Sequence, residues 1–112
     1  PYNQATAFDK LIFTSGQIAL DPATMEIVSG GVQEQTKQVM ENLKAVLEEA
    51  GSSFENVLKT TCYLSDMDNF VAFNEIYAQY FKGETAPARS TVAVKTLPKN
   101  VLVEVDTIAF KN

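Results

Sequence analysis

The chain has 112 residues, enough for one domain (residues 1–112) with an adequate core. Hydrophobic residues make up 46% and charged residues 21%, ordinary values for a soluble globular protein, and the net charge is −5. Nine Lys and Arg against fourteen Asp and Glu argue against nucleic acid, and the absence of histidine removes Ser-His-Asp and Cys-His catalysis and the commonest metal ligand.

In chain order, Asp9-Lys10 reads as a hairpin turn between a short strand near Gln4–Phe8 and a stronger one over Leu11–Ile18. Asp21-Pro22-Ala23-Thr24 is a turn, and Ser29-Gly30-Gly31 leads into a helix. From Val32 to Ala50 the apolar positions Val32, Val39, Met40, Leu43, Val46 and Leu47, with the methyl of Thr36, fall at helical spacing. Gly51 supplies the stop. Val57–Leu64 is a β-rich run. Ser65 or Asp66 caps a second helix to about Phe81, with Phe70, Phe73, Ile76, Tyr77 and Tyr80 on its apolar side. Arg89–Thr96 and Val101–Phe110 read as strands joined by a turn at Leu97-Pro98-Lys99-Asn100.

The predicted order is therefore β-β-α-β-α-β-β: an α+β domain with one mixed sheet and both helices on one face. Along the last strand, Val101, Val103 and Val105 alternate with Leu102, Glu104 and Asp106, while Ile108 and Phe110 share the parity of Glu104. Apolar character on both faces calls for a second cover, and a homo-oligomer is the simplest one. The alternative is a solvated face with scattered apolar residues. No apolar run is long enough to cross a bilayer, so no membrane partner is expected. The lone Cys62 has no internal disulfide partner, and the first residues do not read as a signal peptide; a reducing, cytoplasmic compartment is expected.

Few residues carry chemistry. Arg89 follows Pro87-Ala88 at the start of a strand, which gives its side chain a firm base for gripping a carboxylate through two parallel hydrogen bonds. An ordinary surface arginine, or one paired with a neighbouring acid, fits the same spacing. Glu104 stands among Leu102, Val103 and Val105. It fits a solvent-facing carboxylate, a structural ion pair with Arg89 or a lysine, or a partly buried acid/base acting through water. The hairpin-like connection Leu97–Asn100 allows the strand of Glu104 to lie beside that of Arg89. Tyr2 can stack on a small planar substrate, and Gly16 lets a ligand approach the backbone; packing and a simple bend are the plain alternatives. Asn74 can reach a pocket or be a solvated helical residue. Cys62 reads as a small buried hydrophobe, and the Phe70/Phe73/Tyr77/Tyr80 stripe as core. No phosphate loop, metal-ligand cluster or Ser/Lys dyad appears, so neither cofactor nor metal is expected.

Six segments, in order, make the chain similar to the Rid (reactive intermediate deaminase, YjgF-like) family over essentially its full length. They are Pro1-Tyr2-Asn3-Gln4-Ala5, Thr14-Ser15-Gly16-Gln17-Ile18, Val57-Leu58-Lys59-Thr60-Thr61, Asn74-Glu75-Ile76-Tyr77, Pro87-Ala88-Arg89-Ser90, and Leu97-Pro98-Lys99 followed by Val103-Glu104-Val105. The resemblance implies a chorismate-mutase-like fold assembled as a homotrimer with pockets between subunits. It also implies hydrolysis of 2-iminobutanoate, 2-iminopropanoate and related enamines, released by pyridoxal-phosphate-dependent dehydratases, to 2-keto acids and ammonia. On that basis Arg89 binds the substrate carboxylate and Glu104 handles water and protons. Tyr2, Gly16, Asn74 and Thr91 join Arg89 in contacting the substrate, Tyr2 from a neighbouring subunit. Thr91 stands where many deaminase-active members carry cysteine, so no pocket thiol chemistry carries over. A non-catalytic, carboxylate-binding regulatory trimer acting through a protein partner is the alternative; a nuclease or translation inhibitor is a third reading, opposed by the acidic charge.

Overall fold

A computed structural model describes residues Pro1–Asn112. The strands are β1 (Ala5–Phe8), β2 (Leu11–Thr14), β3 (Val57–Leu64), β4 (Ala88–Ala93) and β5 (Val103–Phe110); the helices are α1 (Val32–Glu49) and α2 (Phe70–Tyr80). They follow one another in the expected β-β-α-β-α-β-β order.

Each helix ends where local chemistry dictates. The carboxylate of Glu34 accepts from the Gly31 N–H at 2.7 Å, satisfying an N-terminal donor of α1. Beyond α1, Gly51 takes φ +85°, a conformation that favours glycine. Asp66 accepts from the Asp68 N–H, and a short 3₁₀ turn, Met67–Asn69, leads into α2.

The sheet order is β1-β2-β5-β3-β4, antiparallel except for the parallel pair β3–β4. The parallel pair is the crossover made through α2, which leaves β4 on the edge. This corrects the sequence reading of the last two strands. The 3₁₀ turn Pro98–Asn100 does not make a hairpin, and β3 lies between β4 and β5. β2 is also shorter than expected: its ladder stops at Thr14, and only an isolated bridge, Gln17 with Val105, continues along β5. The chain therefore leaves the sheet at Ser15-Gly16, opening a gap beside β5.

One face of the sheet meets both helices. Cys62, Leu64, Val103, Val105 and Ala109 point into a core with Val39, Met40, Leu43 and Leu47 from α1 and Phe73 and Tyr77 from α2. Burial of this face is the main stabilising contribution. On the opposite face Leu11, Phe13, Val92 and Phe110 remain exposed, and the half-buried Glu104 and Asp106 lie among them. No helix is long and apolar enough to cross a membrane.

Candidate functional site

Strand register assigns Arg89, Thr91 and Glu104 each to a face of the sheet. Arg89 pairs with Thr60, and Thr60 is buried with its hydroxyl 2.8 Å from the Tyr77 hydroxyl of α2. Arg89 and, two residues on, Thr91 therefore sit on the helix-covered face. Glu104 pairs with Tyr63, three residues from Thr60, and so belongs to the opposite face. Two strand spacings of about 4.8 Å and three residues at about 3.3 Å separate their backbones by roughly 14 Å, with the side chains directed apart. An ion pair between Arg89 and Glu104 within one chain is thereby ruled out.

The arginine half is built by α2. Arg89 Nη1 donates to Asn74 Oδ1 at 2.6 Å, and its guanidinium carbon lies 4.6 Å from the Tyr77 ring centroid and 5.4 Å from that of Phe70. Two aromatic faces and one amide hold the planar group in place. Asn74 is its only hydrogen-bond acceptor in the chain, so most of the donor fork is unspent. Beside it the Thr91 hydroxyl is buried without a hydrogen-bond partner. Cys62, opposite Thr91 on β3, is fully buried, and desolvation pushes its thiol up to about 11, which suits a packing role.

The carboxylate half forms where β2 ends. A Cβ on Gly16 would overlap Glu104 Oε2 and sit 2.7 Å from its Cδ, so the glycine makes the space the carboxylate occupies. Tyr2, Gly16 and Glu104 line one cavity of about 640 Å³, whose far wall comes from α1. Burial is the main cause that raises the Glu104 pKa, and the nearby charge of Asp106 adds to it. Asp106 is also raised, first by burial, with opposing help from Tyr63 and Lys59. Glu104 is thus a carboxyl whose proton affinity is lifted towards that of a working acid/base.

Sequence reasoning identified Arg89, Glu104, Tyr2, Gly16, Asn74 and Thr91, and the structure gathers them into two clusters of three. Arg89, Asn74 and Thr91 form one; Tyr2, Gly16 and Glu104 form the other. Reasoning from sequence treated Tyr77 and Phe70 only as core, although their i, i+7 spacing with Asn74 between them marks one helix face. Of the cavity wall, Gln17 stood inside the family-like segment Thr14-Ser15-Gly16-Gln17-Ile18 without being singled out, and Asn42 carried no signal in the sequence.

A five-stranded mixed sheet with two helices on one face, carrying these clusters, is an α+β domain of the chorismate-mutase-like kind. Residues 1–111 match the family model described as Endoribonuclease L-PSP. A RutC family protein of Synechocystis sp. is 60% identical over 110 residues, covering 97% of this chain and 85% of that protein. A human protein named 2-iminobutanoate/2-iminopropanoate deaminase is 45% identical, over 99% of this chain and 80% of its own length. The structure of Escherichia coli TdcF with bound serine superposes with a TM-score of 0.91 at 39% identity, covering 100% of this chain and 89% of that one. The chain belongs to this Endoribonuclease L-PSP family, whose members include the Rid proteins.

Proposed function

We propose that the chain is a cofactor-independent deaminase of 2-imino acids and their enamine tautomers, acting as a homotrimer with its pockets between copies. One observation carries the reading: a pre-set guanidinium with unspent donors and a carboxyl of raised pKa lie on opposite faces of one sheet. Neither half suffices, and a second copy is the simplest source of the missing one. The exposed apolar residues around Glu104 favour such an assembly.

The chemistry asks little more of the protein. Arg89 pairs with the substrate carboxylate, with the Thr91 hydroxyl and Asn74 beside it, and so orients C2. The carbon of a protonated imine is already electrophilic. Glu104 of the neighbouring copy takes a proton from water as its oxygen bonds to C2, giving a carbinolamine. The same proton passes to nitrogen. As the C–N bond breaks, the carbinolamine hydroxyl gives its proton back to Glu104, and the 2-keto acid and ammonia leave, the ammonia taking up that proton as ammonium. Proton transfer of this kind contributes about 10²–10⁴-fold. Tyr2 covers the planar substrate beside Gly16. The human and mouse relatives named as 2-iminobutanoate/2-iminopropanoate deaminases support this substrate class. The serine bound in the TdcF structure supports recognition of a small amino-acid-like carboxylate.

The test is 2-keto acid formation from 2-iminobutanoate generated in situ by a dehydratase. The wild-type chain should speed ammonia release and Arg89→Ala should remove the gain; an unchanged rate with wild type would refute the reading. Metabolite binding without turnover would instead favour a regulatory trimer.

A further inference from the structure

The cavity beside Glu104 has a size and lining that a three- or four-carbon acid does not use. At about 640 Å³ it lies within the range of about 300–1,000 Å³ typical of sites for drug-sized ligands. Its polar lining is largely occupied by internal hydrogen bonds. Ser15 Oγ donates to the Asn3 carbonyl at 2.6 Å, and Gln17 Nε2 donates to Gln4 Oε1 at 2.8 Å. Asn42 Nδ2 donates to the carbonyls of Ile18 at 3.1 Å and Leu20 at 2.9 Å. The Glu104 carboxylate and the Tyr2 hydroxyl make no side-chain hydrogen bond in the chain, and Glu104 is the one charged group of the lining. The apolar part of the wall includes Ile18, Leu20, Pro22, Met25, Ala45, Val46 and Pro98. The Asn42 amide ties the Ile18–Leu20 segment to α1, so this apolar trough is preformed. Met25 is held at its rim by an N–H donated to the Asp21 carbonyl at 2.7 Å, and its unbranched thioether suits side chains of differing shape.

We infer that the site prefers 2-imino acids with a long apolar side chain over the three- and four-carbon ones. This rests on the imine-hydrolysis reading above. With the carboxylate on the neighbour's Arg89 and C2 at Glu104, the side chain extends along the trough, where a polar chain would lose water without gaining a partner. The balance is unchanged: R–C(=NH₂⁺)–COO⁻ and water give R–CO–COO⁻ and ammonium. Dehydration of the two standard aliphatic hydroxy amino acids, serine and threonine, yields only the three- and four-carbon imines. Longer ones require a two-electron oxidation of an apolar amino acid at its Cα–N bond, so enzymes of that class would supply this substrate.

The experiment uses imines generated in situ by an amino-acid oxidase from alanine, 2-aminobutyrate, norvaline and norleucine. The wild-type chain should show kcat/KM rising about fourfold per added methylene, the factor expected for burying one CH₂ group. The double variant Met25→Asn, Val46→Thr should lower the norleucine-to-alanine ratio about tenfold; asparagine tolerates the positive φ of 61° at position 25. Met67→Asn, exposed and outside the cavity, should leave the ratio unaltered. A flat or falling series, or a ratio unmoved in the double variant, would overturn the inference. Calorimetric titration with 2-oxohexanoate and pyruvate gives a readout independent of turnover. Tighter 2-oxohexanoate binding supports the trough even if no imine is hydrolysed, an outcome that would refute only the deaminase reading; equal affinities would overturn the trough.

Discussion

The two halves of the site are built on opposite physical terms. At the β4 edge, Arg89 is held by favourable contacts: the rings of Tyr77 and Phe70 and the Asn74 amide, all on α2. At the end of β2, Glu104 occupies a gap left by a glycine, and burial beside Asp106 disfavours its charge. A cation that never needs to change state can be fixed by packing. A group proposed to gain and lose a proton, as Glu104 is, is better kept in a setting that brings its two forms closer in energy. Separating the two across one sheet also prevents them from neutralising each other in a single chain.

The largest test of this contrast removes each half outright. Arg89→Ala and Glu104→Gln should each lower kcat/KM for 2-iminobutanoate by about 10²–10⁴-fold. Arg89→Ala should act through substrate binding and Glu104→Gln through kcat. If Glu104→Gln kept full turnover, the acid half would not be chemical. Gly16→Ala should lower turnover by about 10–100-fold with circular dichroism unchanged, because the added Cβ displaces a flexible carboxylate rather than backbone.

Smaller effects sharpen the arginine half. Tyr77→Phe leaves the buried Thr60 hydroxyl without its 2.8 Å partner while keeping the ring under Arg89. It should cost about 1 kcal/mol in denaturant unfolding and leave KM close to wild type. Thr91→Val removes a hydroxyl that has no partner in the chain, so stability should hold or rise. If the substrate supplies that partner, KM rises severalfold.

The smallest effect is in the pH dependence of stability. Glu104 has a folded-state pKa above its unfolded value, so the folded chain binds more protons between the two. Stability attributable to Glu104 is therefore highest at low pH and falls as pH rises through the folded-state pKa. Glu104→Gln should stabilise the protein at neutral pH and give no gain below the ordinary carboxylate range. Urea titrations at the two pH values measure the difference.

The sequence made the secondary structure legible wherever burial is one-sided. Helix spacing from Val32 and the run Val57–Leu64 gave elements whose bounds nearly coincide with α1 and β3. The Pro-Ala-Arg turn and the carboxylate inside an apolar strand likewise marked Arg89 and Glu104. The relation between them was not legible. Whether Leu97–Asn100 closes a hairpin depends on β4 pairing with β3 after α2, a tertiary preference that local turn chemistry does not encode. The early end of β2 was hidden for a similar reason, since Ser15-Gly16 serves the gap beside Glu104 and only Gln17 rejoins β5. Tyr77 looked like core because it is core; its second role as a platform for Arg89 exists only once β4 lies beside α2.

The central claim is that the working site takes its arginine from one copy and its glutamate from the next, and subunit mixing tests it directly. Arg89→Ala and Glu104→Gln chains, each inactive alone, are refolded together in equal amounts and assayed for imine hydrolysis. Random assembly into rings gives intact sites at about one interface in four, so about a quarter of wild-type activity should return. No recovery from mixed assemblies that form normally would mean that each site is built within one chain, and would contradict the account.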